Sequence, residues 1–364
     1  MRTKAGDIRI TLTERPYFSV RRTPEAHKAP GLESSRLHAV QHTIGIPHQG
    51  SSVNVHSTYG NVSEAFKRVV SVPASQIDLL SASLLIAAGQ YSDMDLVAER
   101  GRVVILSERV RETLPRRHGL YDAIHALNHV LFDELGLRGD QKRYYDPRNS
   151  YIPDVLDRGL GNPITLSVLY MEIGKRVGYR FHGIGLPGHF IVRAGEGSEA
   201  LYIDPYNAGG LLSRKECVGL VQKAVGRPGR TSVPMSVEEA APFMRPSGKR
   251  GILRRTLSNL KQIYLDKNDF EQALQFAESI RTVEPGSWHN LADLARIQTE
   301  LGRFNAAAET LSTYLKRAPS GHDIESARAA LSELRNRVIS DPGSGPDGDT
   351  AGTGGTIGES PHNQ

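Results

Sequence analysis

Leu257, Leu260, Phe270, Ala273 and Pro285 recur as Leu291, Leu294, Phe304, Ala307 and Pro319, each displaced by 34 residues. A period of that length holds two helices and their turns, with a small residue where the helices cross closely and a proline ending the second. One such unit cannot bury its apolar face alone, so copies stack. Residues 253 to 317 are therefore predicted to form four helices in two antiparallel hairpins, with Ala273 and Ala307 at the close crossings and 322–338 as a closing helix. Tyr264 and Gly302 also fall on pattern positions, each in one copy. An unrelated pair of helical hairpins is the competing reading, because repeat arrays usually need three copies.

The period and the residue pattern are those of tetratricopeptide repeats, which assigns 250–338 to a repeat module with a capping helix. The rest of the chain must supply a different kind of domain. At 364 residues with 38% hydrophobic content there is material for another sizeable core. Residues 1–61 mix Pro, His, Ser and Arg without periodicity, and the tail over 339–364 reads "DPGSGPDGDTAGTGG" from Asp341; both are expected to be disordered. The stretch "GRPGRTSVPMS" at 226–236 reads as a linker.

Between these lies an α+β pattern over 62–245. Helical patterns at 64–72, 75–88, 91–99, 103–113 and 119–136 come first, then a helix from residue 163 with Leu166, Leu169, Tyr170 and Ile173 at helical spacing. Short runs rich in β-branched and aromatic residues follow, "YRFHGIG", "HFIVRA" and "ALYIDP". Helices first and strands later, without βαβ alternation, argue for an α+β domain. A helix with a Gly-led start, then His189 opening one strand and Asp204 closing another, is the order of a papain-like site. That chemistry needs a thiolate at a helix N-terminus, a His as base and a carboxylate orienting the His. The last two are present, but the helix begins with Asn162 and Pro163.

The strings "YYDPRNSYIPDVLDRGLGNPITLSVLYMEIGKRVG", "GIGLPGHFIVR" and "LYIDPYNAGG", followed by the repeats, resemble the SirB-type transglutaminase-like proteins. The resemblance covers roughly 62–338 and implies a papain-like transglutaminase core preceded by helices. It also implies that His189 and Asp204 occupy the His and Asp of the superfamily's Cys-His-Asp motif, and that its Cys position falls on Pro163. Proline after an Asn N-cap is a favourable helix start, but it has no side chain able to attack a carbonyl.

Thr165 and Ser167 lie just past the proline, and a hydroxyl beside a His can act as nucleophile. Local bonding to the helix start is the preferred reading of both. Cys217, the single cysteine, lies in the helical stretch "LSRKECVGLVQKA" and reads as a small buried hydrophobe. Its solitude excludes an intramolecular disulfide and suits a reducing compartment. "GIGLPG" at 183–188 matches Gly-x-Gly-x-x-Gly but leads into a strand, so a tight turn presenting His189 is expected in place of a dinucleotide loop. His125, His129 and Asp133 share a helix face that reads as a solvated stripe, and "KRGILRR" at 249–255 as a solvent-facing surface.

The expectation is a cytoplasmic protein that binds a protein or peptide through its cleft and its repeats, acting as an adaptor or regulator without turnover. The alternative is a papain-like hydrolase or acyltransferase using Thr165 or Cys217 with His189 and Asp204. No cofactor or metal is expected. The charge of +5, from 45 basic and 40 acidic residues without a long single-sign block, argues against a nucleic-acid partner. The apolar run "LLSASLLIAAG" is about half the length a bilayer requires, and the N-terminus lacks the apolar segment of a secretory signal.

Overall fold

The computed structural model describes residues 62–225, 234–318 and 324–340. The expected N-terminal extension, the tail beyond Ser340, Pro319 and residues 226–233 of the linker lie outside the described residues. The chain divides into two bodies, one ending at Gly286 and the other beginning at Ser287.

The first body opens with four helices, α1 (Val62–Val70), α2 (Leu79–Ala88), α3 (Leu96–Thr113) and α4 (Leu120–Asn128). Asp78 and Asp95 cap α2 and α3, accepting from Ser81 N at 3.1 Å and from Val97 N and Ala98 N at 2.9 and 3.0 Å. The two helices expected over 91–113 are one. Gly101 costs a helix interior about 1 kcal/mol, and burial of Val103, Leu106 and Val110 outweighs it. Beyond α4 the expected helix widens into a π-helical turn at His129–Glu134. The widening follows Asn128, whose side chain accepts from Tyr170 Oη at 3.1 Å and donates to Gly209 O at 3.0 Å.

Helix α5 (Ile152–Arg158) ends on Gly159, whose φ of 67° is left-handed, and the short strands β1 (Arg138–Gly139) and β2 (Leu160–Gly161) pair in parallel beside it. Then comes α6 (Pro163–Arg176), around which the body is built. Its residues 163–174 are all buried, polar Thr165, Ser167 and Glu172 included, so it is covered all round where the spacing marked only one face. It packs against α2, α3, α5 and the sheet.

That sheet is an antiparallel meander of β3 (Phe181–Ile184), β4 (Ile191–Ala194), β5 (Leu201–Asp204) and β6 (Gly210–Leu212). The strand period of two sends Phe181, Val192, Ala194 and Ile203 into the core with α6. Ile184, Ile191 and Tyr202 go to the other face, against α7 (Arg214–Val225) and Met244. After the four-residue α8 (Val237–Ala240), helices α9 (Lys249–Asp266) and α10 (Phe270–Val283) form the first repeat hairpin. Leu253, Leu257 and Leu260 of α9 and Phe276, Ile280 and Val283 of α10 belong to the same core as α6.

The second body holds α11 (His289–Glu300), α12 (Phe304–Arg317) and α13 (Ile324–Ser340), packed through Leu291, Ala307, Leu311, Tyr314, Leu331 and Leu334. Gly302 turns α11 into α12 at φ 71°, and Asn268 makes the corresponding turn of the first hairpin at φ 57°. Gly and Asn are the residues that enter this left-handed region most cheaply, so the turn recurs in both copies although its residue differs. Among the described residues, no helix is long and apolar enough to cross a membrane.

Candidate functional site

His189 and Asp204 meet. His189 follows the turn that closes with its N–H donating to Leu186 O at 3.2 Å, and Asp204 is the last residue of β5. His189 Nε2 lies 2.8 Å from Asp204 Oδ2. Asp204 accepts further bonds from Tyr206 N at 3.1 Å, Asn207 N at 3.3 Å and Asn207 Nδ2 at 2.7 Å. Burial alone would raise its carboxyl, but the hydrogen bond and charge of His189, with the Asn207 donors, hold it below the ordinary aspartate value. An ionised Asp204 makes Nε2 the proton-bearing nitrogen of His189, and Nδ1 stays outside the bond.

Aromatic rings flank the pair. Tyr206 meets the His189 ring edge-on at 5.9 Å between centroids, Tyr144 meets Tyr206 at 6.3 Å, and the half-exposed Tyr145 meets Tyr144 at 5.1 Å. Gly139 lets the Tyr206 ring lie flush on β1, for a Cβ there would come within 2.3 Å of it.

At the start of α6 every donor of the first turn has a use. Pro163 has no N–H. The Asn162 side chain accepts from Ile164 N and Thr165 N, both at 2.9 Å, and Leu166 N donates to Asn162 O at 3.2 Å. The Thr165 hydroxyl donates to the same Asn162 Oδ1 at 3.1 Å, and Asn162 Nδ2 donates to Ser150 Oγ at 2.9 Å. The local bonding expected of Ser167 is not made: the residue is buried, and its hydroxyl has no hydrogen-bond partner among the described residues. Helix α6 packs against β4, which begins two residues after His189, and against the turn at Pro205–Asn207, which Asp204 caps.

Cys217 sits in the cluster on the far face of the sheet with Ile184, Leu186, Ile191 and Val221. Burial, with the charges of Glu216 and Asp204, pushes its thiol up to about 12. A thiol so held is not ionised near neutral pH. His129 pairs with Asp133 at 3.4 Å and Glu134 at 3.1 Å, while His125 is exposed. Among the described residues no group of three or more His, Cys, Asp or Glu could hold a metal.

The solvent-facing reading of 249–255 holds for Arg254, which is exposed, and is overturned for Lys249, Arg250 and Arg255. Lys249 Nζ donates to Ser75 O at 2.9 Å and Ile77 O at 2.6 Å, and Arg250 donates to Val72 O and Val283 O, both at 2.9 Å. Arg255 reaches the turn before His189, donating to Leu186 O at 2.9 Å and His189 O at 3.0 Å. These basic residues serve chain carbonyls, which a count of charges does not register.

Comparison with known proteins agrees with the architecture. Residues 100–258 match the transglutaminase-like superfamily and residues 260–332 the tetratricopeptide repeat. A UPF0162 protein of Xylella fastidiosa is 33% identical over 271 residues, which is 74% of this chain and 95% of the relative. A UPF0162 protein of Vibrio cholerae is 24% identical over 206 residues, 56% of this chain and 73% of the relative. Human F-box only protein 21 is 34% identical over 110 residues, 28% of this chain and 18% of that protein. No solved structure matches the chain.

Proposed function

The chain belongs to the UPF0162 family and joins a transglutaminase-like domain to tetratricopeptide repeats, and on that premise we propose that it binds a polypeptide without turning it over. The observation that carries this reading is the start of α6. The position that the resemblance assigns to a nucleophilic cysteine is Pro163, without N–H or reactive side chain, and the donors behind it are committed to Asn162. Acyl transfer needs an attacking atom and donors aimed at the developing oxyanion. What remains is a His–Asp pair, with the Asp buried and the His partly exposed beside tyrosine rings, suited to hydrogen-bonding an amide or carboxyl group of an extended chain. The repeats add a surface of the kind that mediates protein–protein contact. An adaptor or regulator of the cytoplasm, with a protein or peptide as partner, fits both modules.

One observation favours a second reading, a hydrolase or acyltransferase: the His189–Asp204 bond at 2.8 Å is intact. Its nucleophile would be Thr165 or Cys217. The first spends its hydroxyl on Asn162 and the second is buried with its thiol protonated. An acyl-transfer and peptidase screen of the purified protein beside His189→Ala, Thr165→Ala and Cys217→Ala should find no activity in any of them. Activity lost in His189→Ala together with Thr165→Ala or Cys217→Ala would reverse the reading. Pro163→Cys restores a thiol and an N–H at once, and the new thiol should be alkylated several-fold more slowly when His189→Ala is added.

A further inference from the structure

The turn that carries His189 is held from a helix of the repeat hairpin. Arg255 of α9 uses a single nitrogen, Nη2, to donate to Leu186 O at 2.9 Å and His189 O at 3.0 Å. Leu186 O also receives the N–H of His189. The cation thus grips both ends of the bend from which the imidazole projects. Its guanidinium carbon lies 5.5 Å from the centroid of the Phe190 ring.

The three glycines of "GIGLPG" explain how it gets there. A Cβ at Gly185 would meet Arg255 Nη1 at 2.5 Å, and one at Gly183 would meet the Phe190 ring at 2.6 Å. Gly188 turns at φ 69°. Ser247 N fixes the same segment by donating to Gly183 O at 2.8 Å. The glycine pattern that suggests a dinucleotide loop is therefore the seat of an arginine. Burial, then the charge of Arg254, brings the Arg255 guanidinium down to about 10, so it is charged at neutral pH.

We propose that Arg255 is the positioning residue of the His189–Asp204 pair, which makes the first repeat helix a working part of the ligand site. With Arg255 seated, the bend sets the ring so that Nε2 meets Asp204 and Nδ1 is left for a bound group. Unseated, the bend loses the donor common to its two ends, and the ring swings away from Asp204. The inference rests on His189 being a ligand-contacting residue, yet it is read on the ring itself and needs no ligand.

The test is nitrogen–proton NMR of the imidazoles in the full chain labelled at histidine, with His189→Ala identifying its resonances. In the parent protein the His189 Nε2 proton should exchange slowly with water. In Arg255→Met its exchange should rise about tenfold or more as the ring leaves Asp204. Arg255→Lys, whose ammonium can serve two carbonyls, should preserve most of the protection. Gly185→Ala should reproduce the loss by displacing the guanidinium with its charge intact, which keeps the test available if Arg255→Met fails to fold. Protection unchanged in Arg255→Met or Gly185→Ala, or lost as fully in Arg255→Lys, overturns the proposal. Activity that depends on His189 would reverse the non-catalytic reading and leave this result standing.

Discussion

Asp204 holds the site and the chain at the same time. One carboxylate oxygen meets His189 and the Asn207 side chain, while the other caps the turn at Pro205–Asn207. Its carboxyl titrates lower in the folded protein than in the unfolded one, so its ionisation adds stability above the unfolded value, about pH 4. That increment is lost as pH falls through the folded value. Urea midpoints measured from neutral to acid pH should therefore fall less steeply in Asp204→Asn than in the parent; equal slopes would remove Asp204 from the account. His189 and Asp204 were legible because strand order and spacing are written along the chain. Arg255 was not, since what it grips are backbone carbonyls, 66 and 69 residues away, and these have no signature in side-chain type.

At the scale of elements, helices declared themselves by period and their ends by caps. Asp78, Asp95 and Asn162 each stop the backward extension of a helix by accepting first-turn N–H groups. The unity of α3 was hidden, because propensity marks Gly101 as a break and only tertiary burial overrules it. The π-helical turn was equally hidden, its tie at Asn128 reaching across to Gly209. In the repeat hairpin Ala273 is fully buried on α10, which packs along α9. Ala273→Leu should cost roughly 1–3 kcal/mol through overpacking, seen as a lower midpoint in thermal unfolding of the full chain. An unchanged midpoint would show that the helices do not cross there.

For the whole molecule, periodicity and burial divide the chain in different places. Periodicity reads α9–α10 as the first of two copies, whereas its apolar face, including Leu253, Leu257, Leu260, Phe276 and Ile280, lies in the core of the first body. A buried side chain of this size contributes about 1.5–3 kcal/mol before the entropy of ordering the chain is subtracted, so removing the hairpin strips several such contributions from the core of the first body. A chain ending at residue 286 should accordingly unfold in one cooperative transition, and a chain ending at 248 should have none; cooperative melting of the shorter chain, followed by circular dichroism, is the outcome that sinks this account. The same packing bears on how such a gene can be cut and rejoined. A recombination event that separated the domain from its repeats at residue 248 would pass on an open apolar face and a histidine bend without its arginine. The smallest heritable piece that keeps the His189 bend together with Arg255 is the domain with one repeat attached.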